Sequence, residues 1–217
     1  EDTWYALTAV DAGGRDSPYS NQVFMPACLL LTGIATTPEG EAFLTDTGTN
    51  RIHRIDSYGR FNLFHLHPLP GEELKIASVL WSPLNELIVI NALRDRLEFY
   101  DNKGGFLRSI GETGTNPGQL RNPADMTLNA KGQIAVADQG NRRIVLFDQQ
   151  GNYLERFGEG VLNRPIALDF APDGSLHVLD AERNQCIVFY EGQKSKFFMK
   201  RTYGDLRGPS DVLVDRR

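Results

Sequence analysis

Seven residues, Asp46-Thr47-Gly48-Thr49-Asn50-Arg51-Ile52, return later in the chain as Asp138-Gln139-Gly140-Asn141-Arg142-Arg143-Ile144. The same frame holds Asn91-Ala92-Leu93-Arg94-Asp95-Arg96-Leu97 between them, and a fourth copy starts at Asp180. Successive starts are 45, 47 and 42 residues apart. A period in the forties built from strand-like segments specifies a β-propeller or a linear array, because each unit buries its faces only against neighbouring copies.

Each copy reads as four short strands. In the third, the spacing predicts strands at Asp125–Leu128, Gln133–Ala137, Arg143–Phe147 and Tyr153–Phe157, with Asp148-Gln149-Gln150-Gly151 turning the third into the fourth. Gly, Asn and Asp clusters between such runs are the turn chemistry of an antiparallel meander. Ile144-Val145-Leu146-Phe147 and Ile187-Val188-Phe189-Tyr190 are apolar at successive positions, as in strands covered on both faces. Blades stacked radially provide that cover.

A second marker keeps the same register. Pro123 and Pro165 each lie 15 residues before the repeat Asp, and the same offset from Asp46 and Asn91 reaches Leu31 and Ile76. Pro209 opens a fifth copy with Ser210-Asp211-Val212-Leu213-Val214. The expected blades are about 29–75, 76–120, 121–162 and 163–206, with 207–217 starting the next, so the sequence ends in mid-repeat. A closed four-bladed ring is the alternative arrangement.

These segments resemble the NHL repeat family, most closely in Asn122-Pro123-Ala124-Asp125-Met126 through Gln133–Asp138 to Arg143–Asp148. The second copy departs by Asn91, and the fourth by Gln185 and Cys186 where Arg-Ile is the pattern. The resemblance implies an all-β, six-bladed propeller occupying 26–217, incomplete by nearly two blades. Residues 1–25 differ in character. Tyr5 and Ala9-Val10-Asp11, followed by Ser17-Pro18-Tyr19, resemble the last two strands of a fibronectin type III domain. That neighbour implies an exported protein: periplasmic, cell-surface or secreted.

Composition narrows the functional classes. The chain has 217 residues, 41% of them hydrophobic, and a net charge of −5. That is enough apolar content for a core, and the wrong sign for a general nucleic-acid or anionic-membrane surface. The longest apolar stretch, near Ala27–Leu31, is far short of a membrane span. The chain starts at Glu1 without an initiator Met, as a processed product would. Cys28 and Cys186 are too far apart in sequence for a Cys-x-x-Cys site and read as two buried thiols or one pair.

The repeated Asp46, Arg51, Asn91, Arg96, Asp138, Arg143 and Asp180 look like catalytic groups, but recurrence from blade to blade marks a structural duty. An Asx bond to the turn and an Asp–Arg bond would fix the loop between second and third strands. Specific function belongs where copies differ. Arg94, Arg121, Arg142, Arg164, Arg183 and Arg207 all fall in second-to-third loops or between blades, on what should be one face. Glu72, Glu73, Glu112, Glu159, Glu182 and Asp205 share those loops, which points to a mixed polar face contacting protein. His65 and His67 are placed on one face of a fourth strand with no third metal ligand nearby.

Asp125, Asp169 and Asp211 come from innermost strands, where Gly33 and Ser78 hold the position of Asp125 in the first two blades. Carboxylates without histidines make a thin metal site, and no nucleophile-elbow, P-loop, zincin, dinucleotide or EF-hand motif occurs. The expectation is therefore a non-catalytic binding and scaffolding module without cofactor or metal. A partner chain or further segment would complete the ring. A bare blade face forfeits about 1.5–3 kcal/mol per large apolar side chain, so several such losses rival a domain's net stability of about 5–15 kcal/mol. The rival, implied by the family resemblance, is a metal-dependent lyase or lactone hydrolase with a central-channel site. RNA binding, known for some NHL propellers with a basic face, is disfavoured by the acidic balance.

Overall fold

The computed structural model describes residues 31–191, 197–204 and 206–214. The segment resembling fibronectin type III strands, together with Cys28, Asp205 and residues 215–217, lies outside them. Among the described residues sixteen strands form four antiparallel sheets. The first sheet is β1 (Leu31–Thr36), β2 (Ala42–Asp46), β3 (Arg51–Ile55) and β4 (Phe61–Phe64). The second is β5 (Ile76–Trp81), β6 (Leu87–Asn91), β7 (Arg96–Tyr100) and β8 (Phe106–Ile110). The third is β9 (Pro123–Leu128), β10 (Ile134–Asp138), β11 (Arg143–Phe147) and β12 (Tyr153–Phe157). The fourth is β13 (Pro165–Phe170), β14 (Leu176–Asp180), β15 (Gln185–Glu191) and β16 (Phe197–Tyr203).

Strand order within every sheet follows the sequence, the meander that the turn residues imply. The first strand of the third blade starts two residues earlier than its apolar run, at Pro123, which pairs with Asp138. A proline fits there because a first strand is a sheet edge and owes no ladder hydrogen bond on one side. The middle strands β6, β10 and β11 are buried at every residue. The outer strands β8 and β12 alternate toward solvent, and β4 exposes Asn62 and Leu63.

Inner strands touch in series, β1 to β5, β5 to β9 and β9 to β13. Three hydrophobic cores lie between blades. One joins Phe43, Ile52 and Phe64 to Val79, Leu87 and Tyr100. A second joins Ile90, Leu97 and Phe99 to Met126, Val136 and Phe147. The third joins Ile144, Leu146 and Phe157 to Leu168, Val178 and Phe189. Among the described residues no such core joins the fourth blade to the first, so the sheets form an open arc rather than a closed four-bladed ring.

Register identifies the faces at the two ends of the arc. Ile34, Val79, Met126 and Leu168 each lie 12 residues before the repeat Asp or Asn, and the last three pack against the preceding blade. Three of them are 3–4% exposed, whereas Ile34 is 55% exposed. At the other end, Tyr203 pairs with Cys186 as Phe64 pairs with Ile52 and Phe157 with Ile144. Phe64 and Phe157 are 9% and 8% exposed, but Tyr203 is 47% exposed.

Two local expectations change. Residues 206–214 form no strand, although Pro209 was expected to open one. The segment still sits in blade register, because the Val214 N–H donates to Asp169 Oδ2 (2.9 Å) much as the Leu168 N–H donates to Asp125 Oδ2 (3.1 Å). His65 and His67 are not on a fourth strand, since β4 ends at Phe64. They are exposed, and the His67 N–H instead reaches the Gly104 carbonyl in the adjoining blade (2.8 Å). No described helix is long and apolar enough to cross a membrane.

Candidate functional site

The repeat Asp organises the loop between second and third strands in each blade. Asp46 Oδ1 accepts from the Gly48 and Thr49 amides at 3.0 and 3.3 Å, and Asp180 Oδ1 from those of Glu182 and Arg183 at 3.1 and 3.0 Å. Asn91 keeps the pattern through its carbonyl oxygen, which accepts from the Leu93 N–H (3.1 Å). The third blade differs. A 3-10 turn at Gln139–Asn141 replaces the Asx turn, and Asp138 instead holds Arg143 Nε (2.7 Å) and Asn141 Nδ2 (2.8 Å).

The repeat arginines do different work in different blades. Arg143 and Asp138, 2% and 0% exposed, form a buried pair. The rest of that guanidinium donates to the carbonyls of Thr115 (2.8 Å), Asn116 (3.3 Å) and Gln119 (2.8 Å), lashing the incoming connector to the blade. Arg96 joins buried Glu98 (2.9 Å) to Glu72 of its own connector, and Glu98 also accepts from Asn91 Nδ2 (2.8 Å) and the Tyr100 hydroxyl. Burial raises the carboxyl pKa of Asp138 above its ordinary value, opposed by the bonds from Asn141, Arg121 N–H and Arg143. Arg51 is exposed and does not pair with Asp46 among the described residues; His53 Nε2 lies 3.7 Å from that carboxylate instead.

In the channel, Asp125 accepts from the Ser78 hydroxyl of the preceding blade (2.8 Å) and from the Leu168 N–H of the following one. Asp169 accepts from the Thr127 hydroxyl (3.1 Å) and the Val214 N–H. Asp125 thus clasps the inner strands on both sides, and Asp169 joins β9 to the segment that carries Val214. Burial pushes the Asp125 carboxyl up to about 6, against hydrogen bonds that favour its anion and with Asp211 adding like-charge repulsion. Asp211 accepts from its neighbour's Val212 N–H (2.7 Å) and joins no clasp among the described residues. No cluster of three or more His, Cys, Asp or Glu suited to a metal occurs among the described residues.

The second-to-third loops and the connectors between blades share one face. Asn50 donates from Nδ2 to the Leu74 carbonyl (2.6 Å) and accepts the Ile76 N–H (2.8 Å); Asp95 accepts the Asn122 N–H (2.7 Å). All six arginines singled out from sequence emerge here and are exposed. Arg183 reaches Asn163 Oδ1 (3.3 Å), while the guanidinium groups of Arg94, Arg121, Arg142, Arg164 and Arg207 have no polar partner among the described residues. Neighbouring acids are mostly engaged. Glu72 holds Arg96, Glu112 accepts from Gln119, Glu159 lies against Arg156 and Arg143, and Glu182 accepts from Asn163. Glu73 is exposed on the same face.

Lys75 is a residue the sequence reading missed. Its N–H donates to the Asn91 side chain (3.1 Å) and its carbonyl accepts the Ala92 N–H (2.8 Å). Arg164 is held identically, by Asp180 with Ala181 N–H, and Arg121, one residue earlier in register, is held by Asp138 with Gly140 N–H. Position alone could have found it: Lys75 precedes Ile76 as Arg164 precedes Pro165.

Comparison with known proteins agrees with this architecture. Residues 72–199 match the sequence model of a family described as a 6-bladed beta-propeller. Human NHL repeat-containing protein 3 is 38% identical over 163 residues, covering 64% of this chain and 45% of that protein. Human E3 ubiquitin-protein ligase NHLRC1 is 30% identical over 132 residues, covering 59% of this chain and 33% of the ligase. The chain therefore spans less than half the length of either relative. Among solved structures, Staphylococcus aureus virginiamycin B lyase superposes with a TM-score of 0.68 at 16% identity, covering 97% of this chain and 68% of the lyase. At that identity the likeness concerns the fold. With its four meander blades, its Asp-based repeat and the match over residues 72–199, this chain belongs to the 6-bladed beta-propeller family, and its repeats are of the NHL type.

Proposed function

We propose that this chain is a non-catalytic, protein-binding scaffold module of an exported or cell-surface assembly, its ring completed by a further segment or partner chain. The observation that carries the reading is Ile34, 55% exposed at a station where the other three blades bury Val79, Met126 and Leu168. Tyr203 and the half-buried Cys186 at the far end tell the same story. A family with six blades needs two more sheets between those faces, and apolar sheet faces are covered by other sheets rather than by water. The exported setting rests on the resemblance of residues 1–25 to fibronectin type III strands.

Hydrogen exchange tests the open faces. Amides of β1 should exchange faster than those of β5 and β9 in dilute protein, and should gain protection as concentration lets faces pair. Equal protection of β1 at every concentration would mean that the arc closes on its own. The enzyme alternative, a metal-dependent lyase or lactone hydrolase, gains from the raised Asp125 pKa, but both oxygens of that carboxylate are committed to the clasp. Stoichiometric zinc or calcium in purified protein would restore that alternative.

A further inference from the structure

Lys75 and Arg164 share one structural station, directly before the first strand of their blades, and Arg121 stands one residue earlier in the third blade. Lys75, Arg121 and Arg164 are each pinned through backbone N–H and C=O to the repeat Asp or Asn and its loop, with exposed side chains that meet no polar partner among the described residues. Pinning the backbone holds one cation at each of three successive connectors at small further entropic cost on binding.

Arg142 adds a departure from the repeat. Four residues after each repeat Asp or Asn stands a left-handed residue: Asn50 (φ 56°), Asp95 (φ 51°), Arg142 (φ 57°) and Asn184 (φ 54°). Asn and Asp tolerate that conformation; Arg gains nothing from it. Asn50, Asp95 and Asn184 also staple their blades to the next connector, through Leu74 and Ile76, Asn122, and Leu206. Arg142 makes no such bond to a connector among the described residues; its N–H closes the 3-10 turn on the Gln139 carbonyl (3.1 Å), and its exposed guanidinium meets no polar partner there. An Asn would close that turn at less cost, so the choice of Arg points to a duty of its side chain outside the fold.

Building on the reading of the chain as a protein-binding module, we infer that this loop face binds an acidic polypeptide segment with aliphatic side chains. The segment's carboxylates meet Lys75, Arg121, Arg142 and Arg164. Planar guanidinium groups take carboxylates by paired hydrogen bonds. Leu69 and Leu93, 43% and 51% exposed on the same loops, supply the apolar contacts. Single-stranded RNA fits less well. It is held by stacking on aromatic platforms, and these loops hold no Phe, Tyr or Trp among the described residues.

The test uses the whole chain and fluorescence anisotropy with two probes, a labelled Glu/Leu/Ser peptide and labelled oligouridine, at low and physiological salt. The peptide should bind, more weakly as salt rises. Lys75→Gln/Arg121→Gln/Arg164→Gln should weaken it at least about tenfold, each exposed ion pair contributing up to about fivefold. Arg142→Asn restores the repeat, so it should raise Tm by about 2–4 °C while binding the peptide less tightly. Peptide binding that is absent at low salt, unchanged in these variants, or outcompeted by oligouridine overturns the inference. Ile34→Glu, far from the loops in register, should leave peptide binding intact. It therefore separates failure of this surface from failure of ring completion.

Discussion

Arg143 shows how a single side chain can serve both a loop and a connector. It neutralises the buried Asp138 carboxylate and binds three carbonyls of the preceding connector. Arg143→Ala leaves a buried carboxylate without its cation, a loss of about 3–5 kcal/mol that chemical denaturation would read. Arg143→Lys should recover only part, because an ammonium cannot reach all four acceptors in the plane that a guanidinium fills. Asp125 makes a pH prediction of defined sign. Its folded pKa of about 6 lies above the ordinary 3.8. Between those values the folded state binds the proton and the unfolded state does not, so the contribution is complete below the lower value and is lost as pH rises through 6. Comparing wild type with Asp125→Asn by denaturant titration from pH 4 to 8 should show the wild type losing about 2–3 kcal/mol more over that range. A pH-independent difference would place the proton elsewhere. The sequence singled out both residues by type, but their duties depend on partners 24 to 47 residues away, such as Gln119 for Arg143 and Ser78 for Asp125.

The blade is the element that was most legible in advance. Proline and aspartate at fixed offsets place first and second strands, and the unbroken apolar runs of β11 and β15 announce cover on both faces. Connectors were not legible. Their hydrogen bonds run from backbone groups to the next loop, so Lys75 carries no side-chain signal of its station. The His65–His67 segment alternates like a strand, yet β4 has already ended and the backbone turns to meet Gly104. Gly104 shows why that crossing is tight: a Cβ there would lie 2.0 Å from the His65 carbonyl oxygen. Gly140 is the corresponding constraint at the Arg121 station, where a Cβ would come 2.7 Å from the Arg121 carbonyl oxygen. Gly140→Ala must push that connector off the loop, at about 1–3 kcal/mol. The expected signature is faster hydrogen exchange across residues 111–122 with β10 and β11 still protected. Uniform acceleration instead would mean that the connector and the sheet open together.

At the scale of the molecule, the four blades behave as a repeat array that shares cores only between neighbours. Stability in such arrays comes from interfaces between units, and the end units need caps. Here the two outward faces carry departures from the repeat that a cap would explain. Exposed Ile34 stands at one end; Tyr203 and Cys186 stand at the other, where the first and third blades pair Phe64 with Ile52 and Phe157 with Ile144. Size-exclusion chromatography with light scattering, comparing the wild-type chain with Ile34→Glu, examines the open arc most directly. Ile34 is already exposed, so the substitution should leave Tm within about 0.5 kcal/mol equivalent of wild type. Wild type should associate through its end faces, and Ile34→Glu should shift it toward monomer. A wild-type chain that is a folded, monodisperse monomer, unchanged by Ile34→Glu, would contradict the open arc.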